Sequence, residues 1–326
     1  MDSTTAKRYA AQRKVVVVGA ANLDIIGFSD NSLIPRDSNP GRVRFFPGGV
    51  GRNIAENLSR LNVPTSLITA VGGGFDGQYI EDSCKDSGIC TSHILHMENT
   101  AVSAYLAILN PEGDMAMAIS DTNSAASITP SMLRERKSLL NSAALIVADA
   151  NIPGDSLQYL ASTHRKKPLI VDPVSVSKAK KLKPILKSIH TLKMNRLEAS
   201  ALVGRQLKST EDLRYAGIFF SEHGVKNIFI TLGEDGVYGK NSMNFKEGGI
   251  YRSAITVPVN ATGAGDAFTA GIVYAVLAEF PIESAFAHAS AAARIALSCE
   301  SAVNPLMSRE LLRKFLVEGV NTERIQ

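Results

Sequence analysis

The chain has 326 residues, 45% of them hydrophobic, with 35 Lys and Arg against 31 Asp and Glu. That length and apolar content allow one large buried core and exclude a disordered or fibrous chain. A formal charge of +4 is too slight an excess to indicate a nucleic-acid partner. Cys84, Cys90 and Cys299 lack metal-ligand spacing and are read as reduced thiols. No apolar run approaches the roughly 20 residues that span a bilayer, and no secretory apolar core opens the chain. The expectations are a flexible, mildly basic leader over 1–13, one domain over 14–320, no membrane partner and a cytoplasmic location. Glu323–Gln326 is not a Ser-Lys-Leu address, so peroxisomal routing would need an amino-terminal signal removed upstream.

In chain order, β-branched runs at Val15–Val18, Ser66–Val71, Leu145–Ala148, Leu169–Val171 and Ile228–Leu232 alternate with helix-like stretches. Ile54, Leu58 and Leu61 mark one apolar helical stripe, and Phe268, Ile272, Ala275 and Val276 another. This alternation predicts a mostly parallel sheet with helices on both faces. Two regions depart from it. Ser103–Leu109 and Met115–Ser120, separated by the turn-prone 110–114, read as a hairpin, and Val43–Phe46 as a further strand. The expectation is a small projecting β-lid built from segments near 25–48 and 100–122.

The strongest chemical signal is Asn260-Ala261-Thr262-Gly263-Ala264-Gly265-Asp266, which leads directly into an apolar helical pattern. Small residues at Gly263, Ala264 and Gly265 let backbone N–H groups approach a phosphate, and a helix N-terminus favours negative charge. A carboxylate at Asp266 repels phosphate, which makes sense if it accepts the proton of an attacking hydroxyl. The competing reading is an ordinary Gly-rich turn with Asp266 as a helix cap. Gly48-Gly49-Val50-Gly51-Arg52-Asn53 opens the other apolar helix, and Asn53 can donate and accept toward a polyol. Asn22-Leu23-Asp24 follows the first strand, where open α/β sheets place ligands, and the carboxylate suits vicinal hydroxyls. The lysines at 178, 180, 181, 183 and 187 read as a solvated helix face.

Taken together and in this order, these motifs resemble the ribokinase, or phosphofructokinase-B, family over roughly Val15–Pro305. Asn195-Arg196-Leu197-Glu198 looks like that family's Asn-x-x-Glu element, and Thr231-Leu232-Gly233-Glu234-Asp235-Gly236 like its nucleotide loop. Asp37–Gly41, Gly48–Asn53, His190–Lys193, Asn260–Asp266, Ser298–Glu300 and Asn304-Pro305 resemble the family's pseudouridine-kinase branch. The resemblance implies a three-layer α/β/α fold with a β-lid, and ATP-dependent phosphorylation of the 5′-hydroxyl of pseudouridine. It implies Asp266 as base, with Gly263, Ala264 and Gly265 as the anion hole. Asn22, Asp24, Gly49, Asn53 and Asn151 would hold the ribose, and Lys193, Asn195, Thr231, Gly233 and Gly236 the nucleotide. Glu198 and Asn195 would organise Mg²⁺, for which hard oxygen ligands are suited. Asn260 stands where many members carry Asp, which removes a carboxylate near their monovalent-cation site and argues against a K⁺ requirement.

A base with an extra N–H donor needs a polar acceptor, and Ser38, Asn39, Thr100, Ser103, Asp121 and Asn123 of the lid are candidates, Ser103 and Asn39 first. Alternatives are an adenosine or free-sugar kinase of the same family, or a non-catalytic nucleoside or sugar sensor. A homodimer through the lid edges is also expected.

Overall fold

The computed structural model describes residues 13–98, 103–121, 123–242, 248–254 and 259–318, with the backbone of 245–247 and 324–325. Residues 1–12 of the expected leader and Thr100 lie outside the described residues. The first half contains β1 (Val15–Val18), β2 (Asn22–Ser29), β3 (Gly41–Gly48), α1 (Val50–Arg60), β4 (Thr65–Ile68), β5 (Ala70–Gly72), α2 (Phe75–Asp86), β6 (Leu95–Met97), β7 (Ala104–Leu109) and β8 (Met115–Ser120). It is followed by α3 (Pro130–Glu135), α4 (Lys137–Ser142), β9 (Leu145–Asp149), α5 (Gly154–Thr163), β10 (Leu169–Asp172), α6 (Val176–Ala179), β11 (Thr191–Asn195), α7 (Arg196–Val203), α8 (Thr210–Glu222) and β12 (Asn227–Thr231). The last part runs through β13 (Val237–Asn241), β14 (Phe245–Tyr251), α9 (Ala264–Leu277), α10 (Ile282–Leu297), α11 (Arg309–Glu318) and β15 (Arg324–Ile325).

The main sheet has the order β15-β14-β13-β12-β11-β10-β9-β1-β4. From β4 to β12 every pairing is parallel, and β13 to β15 add an antiparallel edge. The four valines of β1 show how both faces are covered. Val15 and Val17 enter one core with Ile54, Leu58, Phe268 and Ile272, while Val16 and Val18 enter the other with Leu157, Leu202 and Phe220. Period-2 alternation on a strand covered on both sides reads as a continuous apolar run. The result is a three-layer α/β/α fold. Among the described residues no helix is long and apolar enough to cross a membrane.

A separate sheet of order β3-β2-β7-β8 is formed by the chain between β1 and β4 and by the chain between β6 and β9. Its register pairs Asp24 with Phe46 on one side and with Tyr105 on the other. Directly paired residues share a face, so Asp24, Phe46 and Tyr105 point the same way. The opposite face exposes Val43, Phe45, Leu106, Met117 and Ile119.

The sequence reading needs three corrections here. Ser66–Val71 is two strands, because β4 joins the main sheet and β5 pairs with β6, with the interruption at Thr69. Asn22-Leu23-Asp24 opens β2, so the lid begins ahead of the boundary expected near residue 25. The edge strands β13 and β14 were missed, since Gly236, Gly239, Gly248 and Gly249 blunt the apolar alternation that would signal them.

Candidate active site

The carboxyl ends of the parallel strands gather the charged groups, and α9 brings its amino-terminal turn to them. Gly263 is the N-cap of α9 with φ 80°, and a Cβ there would lie 1.9 Å from the Ala302 carbonyl oxygen. Only glycine holds this left-handed turn at that distance. The N–H groups of Ala264, Gly265 and Asp266 donate to no protein acceptor among the described residues; the helical ladder begins with Ala267 donating to Gly263. Free first-turn amides at a helix N-terminus are suited to an anion.

Asp266 is buried on the first turn, and its Oδ2 accepts from Asn53 Nδ2 at 2.8 Å. Burial, reinforced by the Asp172 charge, pushes its carboxyl up to about 7, against the Asn53 hydrogen bond and the Lys193 charge. That places a proton acceptor near neutrality, the range suited to general-base work.

The Gly48–Asn53 turn meets β2 from the side. Gly49 has φ 97°, and a Cβ there would fall 2.5 Å from the Ala20 carbonyl oxygen, so the chain passes tightly against the end of β1. Asn22 Nδ2 donates to Asp24 Oδ1 at 2.5 Å. Burial raises the Asp24 carboxyl to about 6, opposed by Asn22 and by the Arg52 charge. The site thus brings Asn22, Asp24, Gly49 and Asn53 together beside Asp266.

Behind the mouth of α9 lies a buried ion pair that the sequence reading did not find. Asp172 Oδ2 accepts from Lys193 Nζ at 3.0 Å and from Thr269 Oγ1 at 3.1 Å, and Oδ1 accepts from the Val174 N–H at 2.9 Å. Asp149, paired with Asp172 across β9 and β10, accepts from the N–H of Ala20 at 2.9 Å and of Asn151 at 2.8 Å. Lys193 Nζ lies 2.8 Å from where a Cβ on Gly265 would stand, beside the mouth of α9, and donates to Asp172; burial pulls its ammonium down, but the Asp172 and Asp266 charges outweigh it and raise it above the ordinary range.

Other expected residues fall as follows. Asn195 caps α7: its side chain accepts from the Glu198 N–H at 2.8 Å, and Glu198 Oε2 accepts from the Asn195 N–H at 2.8 Å. The cap uses Asn195 Oδ1, whereas Glu198 Oε1 takes no protein hydrogen bond among the described residues. Thr231 ends β12, and Gly233 at φ 67° faces open space, with Gly236 closing the turn at φ 98°. Asn260 uses both ends of its amide within the turn, Nδ2 donating to the Glu300 carbonyl at 2.6 Å and Oδ1 accepting from the Thr262 N–H at 2.9 Å.

The lid candidates fare differently. Asn39 bonds Ile34 and Asp37 within its own loop, and Ser38 is exposed beside it. Ser103 is buried with its hydroxyl engaged by the N–H and hydroxyl of Ser124. Asn151 Oδ1 accepts from Lys178 Nζ at 2.5 Å, and Lys181 donates to the Ala150 and Ile152 carbonyls, so these two leave the solvated face, on which Lys180, Lys183 and Lys187 are exposed. Phe46 and Tyr105 were missed because only strand register sets them beside Asp24.

The sequence profile of the pfkB family carbohydrate kinase matches residues 12–309. The chain belongs to the pfkB family. It is 38% identical to the pseudouridine kinase of Escherichia coli (strain K12) over 90% of this chain and 93% of that protein. A carbohydrate kinase from Agrobacterium tumefaciens superposes with a TM-score of 0.84 at 28% identity, covering 96% of this chain and all 100% of that one. Arabidopsis thaliana ribokinase, complexed with ribose and ATP, has a TM-score of 0.80 at 23% identity, over 93% of this chain and 98% of that one, and so shares the fold. As a pfkB kinase, this protein is a phosphotransferase with an alcohol group as acceptor.

Proposed function

We propose that this pfkB kinase transfers the γ-phosphoryl group of ATP to the 5′-hydroxyl of pseudouridine. The observation that carries the reading is Asp266, held by Asn53 one turn inside a helix mouth whose first amides are unpaired. The 38% identity to a pseudouridine kinase supports the choice of acceptor.

The ribose hydroxyls bind Asp24 and Asn53, with Asn22 orienting Asp24 and Gly49 allowing close approach. Asn151, whose Oδ1 is held by Lys178, can add its NH₂ as a further donor to the sugar. The triphosphate lies along the turns near Asn195, Thr231, Gly233 and Gly236. Asp266 takes the 5′-hydroxyl proton as the oxygen attacks the γ-phosphorus in line; the bond from that phosphorus to the β–γ bridging oxygen breaks, ADP leaves with the electron pair, and the proton rests on the Asp266 carboxyl. The N–H groups of Ala264 and Gly265 stabilise charge on the transferred group. Mg²⁺ accompanying ATP supplies charge neutralisation, and Glu198 would hold it through water. Phe46 and Tyr105 flank Asp24 on one face of the lid and supply aromatic area for a flat base, which favours a nucleoside over a free sugar. The exposed apolar face of the lid suits a homodimer with the lids in contact.

Release of ADP from Mg-ATP across pseudouridine, uridine, adenosine, guanosine and ribose tests the reading. Turnover highest with pseudouridine supports it. Turnover led by adenosine or ribose moves the acceptor within the family, and binding without ADP release identifies a sensor.

A further inference from the structure

Arg52 is 3% exposed on the first turn of α1. Its Nη1 donates to the Pro47 carbonyl at 2.7 Å and to Asn53 Oδ1 at 2.7 Å, and its Nη2 pairs with Glu56. Glu56 is held in turn by Arg60, whose Nε donates to Oε1 at 2.8 Å. Arg52 Nε is buried with no partner, so the guanidinium is placed by what its other nitrogens hold.

An amide side chain has one accepting end and one donating end. Arg52 occupies the accepting end of Asn53, which leaves Nδ2 to face Asp266 Oδ2. The rotated amide would set Oδ1 against the carboxylate and NH₂ against the guanidinium, two like-with-like contacts. We propose that Arg52 is a positioning residue that locks the Asn53 amide with its donor toward Asp266, and so holds the carboxyl in line with the acceptor hydroxyl. The Pro47 contact joins this lock to the end of β3, so the lid base and the base of the reaction share one guanidinium.

The inference rests on the reading of Asp266 as the base. Replacing Arg52 alone leaves the buried Glu56 with half of its pairing, Arg60 only, so the informative variant is the double change Arg52→Met with Glu56→Met, which removes the Arg52–Glu56 pair. The other charged groups facing Asp266, namely Asp172, Lys193 and Asp149, remain in place. With whichever acceptor the parent phosphorylates, kcat should fall 10- to 100-fold, the scale of a displaced reacting group. KM for ATP should stay within about twofold, because the pair lies away from the nucleotide turns.

In an Asn53→Ala background the same double change should cost kcat nothing further. An equal loss in both backgrounds overturns the proposal, because a general packing defect does not depend on the amide. If the parent phosphorylates no sugar or nucleoside, the functional reading fails by itself. The lock is then judged by NMR titration of ¹³C-carboxyl Asp266, whose midpoint should rise in the Arg52→Met/Glu56→Met protein and stay put if the amide is not held by Arg52.

Discussion

Asn53 Nδ2 donates to Asp266 Oδ2 over 2.8 Å, tying the first turns of α1 and α9 across 213 residues of sequence. The bond leaves one carboxylate oxygen available to a hydroxyl. Asp266→Asn keeps the shape and removes the base. Turnover should fall by about 100-fold or more, while acceptor affinity measured by calorimetry stays within a few-fold. Undiminished turnover would exclude Asp266 as the base.

The pH dependence follows from burial, first, and then the Asp172 charge, which together raise Asp266 to about 7. A base works ionised, so kcat/KM for the acceptor should climb with pH through that region and level off above it. Stability runs the other way. Above the ordinary carboxylate range the unfolded chain has lost a proton that folded Asp266 still holds, so this group's contribution is complete below that range and declines as pH rises toward 7. Asp266→Asn should therefore melt above the parent at pH 8, with the gap closing by pH 4. A pH-independent gap in a calorimetric series would refute the raised carboxyl.

Phe46→Ala separates nucleosides from free sugars. Stacking of a base on an aromatic ring is worth about 1–3 kcal/mol, so KM for the preferred nucleoside should rise roughly tenfold or more. Ribose kinetics should not move. A parallel rise for ribose would place Phe46 in the architecture of the lid rather than against a base.

Lys193→Met leaves Asp172 buried and unpaired, a change of the kind that costs about 3–5 kcal/mol. Adding Asp172→Asn removes the stranded charge; its one amide oxygen can still accept from the Val174 N–H, and its NH₂ can donate to the Thr269 hydroxyl, which itself reaches the Gly265 carbonyl. Urea unfolding should show the double variant recovering most of the loss. No recovery would mean that Lys193 acts through something other than Asp172.

The lid face carrying Met117 and Ile119 is 62% and 68% exposed at those residues. Changing both to Lys should convert a dimer into a monomer in light scattering, because two unpaired cations resist apolar burial. A parent protein that is already monomeric at micromolar concentration would remove the lid-to-lid contact.

The α/β character was legible because it is local. Val15–Val18 declares a strand buried on both faces, and the apolar period after Asp266 declares a helix. The Gly-Ala-Gly-Asp and Gly-Gly-x-Gly-x-Asn turns were legible for the same reason, since left-handed turns at Gly49 and Gly263 restrict residue type where they occur. Ser66–Val71 misled, because an apolar run does not say which sheet each half joins.

What the sequence determined by itself was which segments form strands and helices and where the chain must turn beside a helix mouth. Tertiary structure alone decided that Asn53 meets Asp266, that Asp172 claims Lys193, that Arg52 orients an amide, and that Phe46 and Tyr105 flank Asp24. The first kind of information lies in periods of two to four residues. The second depends on strand order and register, which bring together side chains whose separation along the chain carries no trace of their contact.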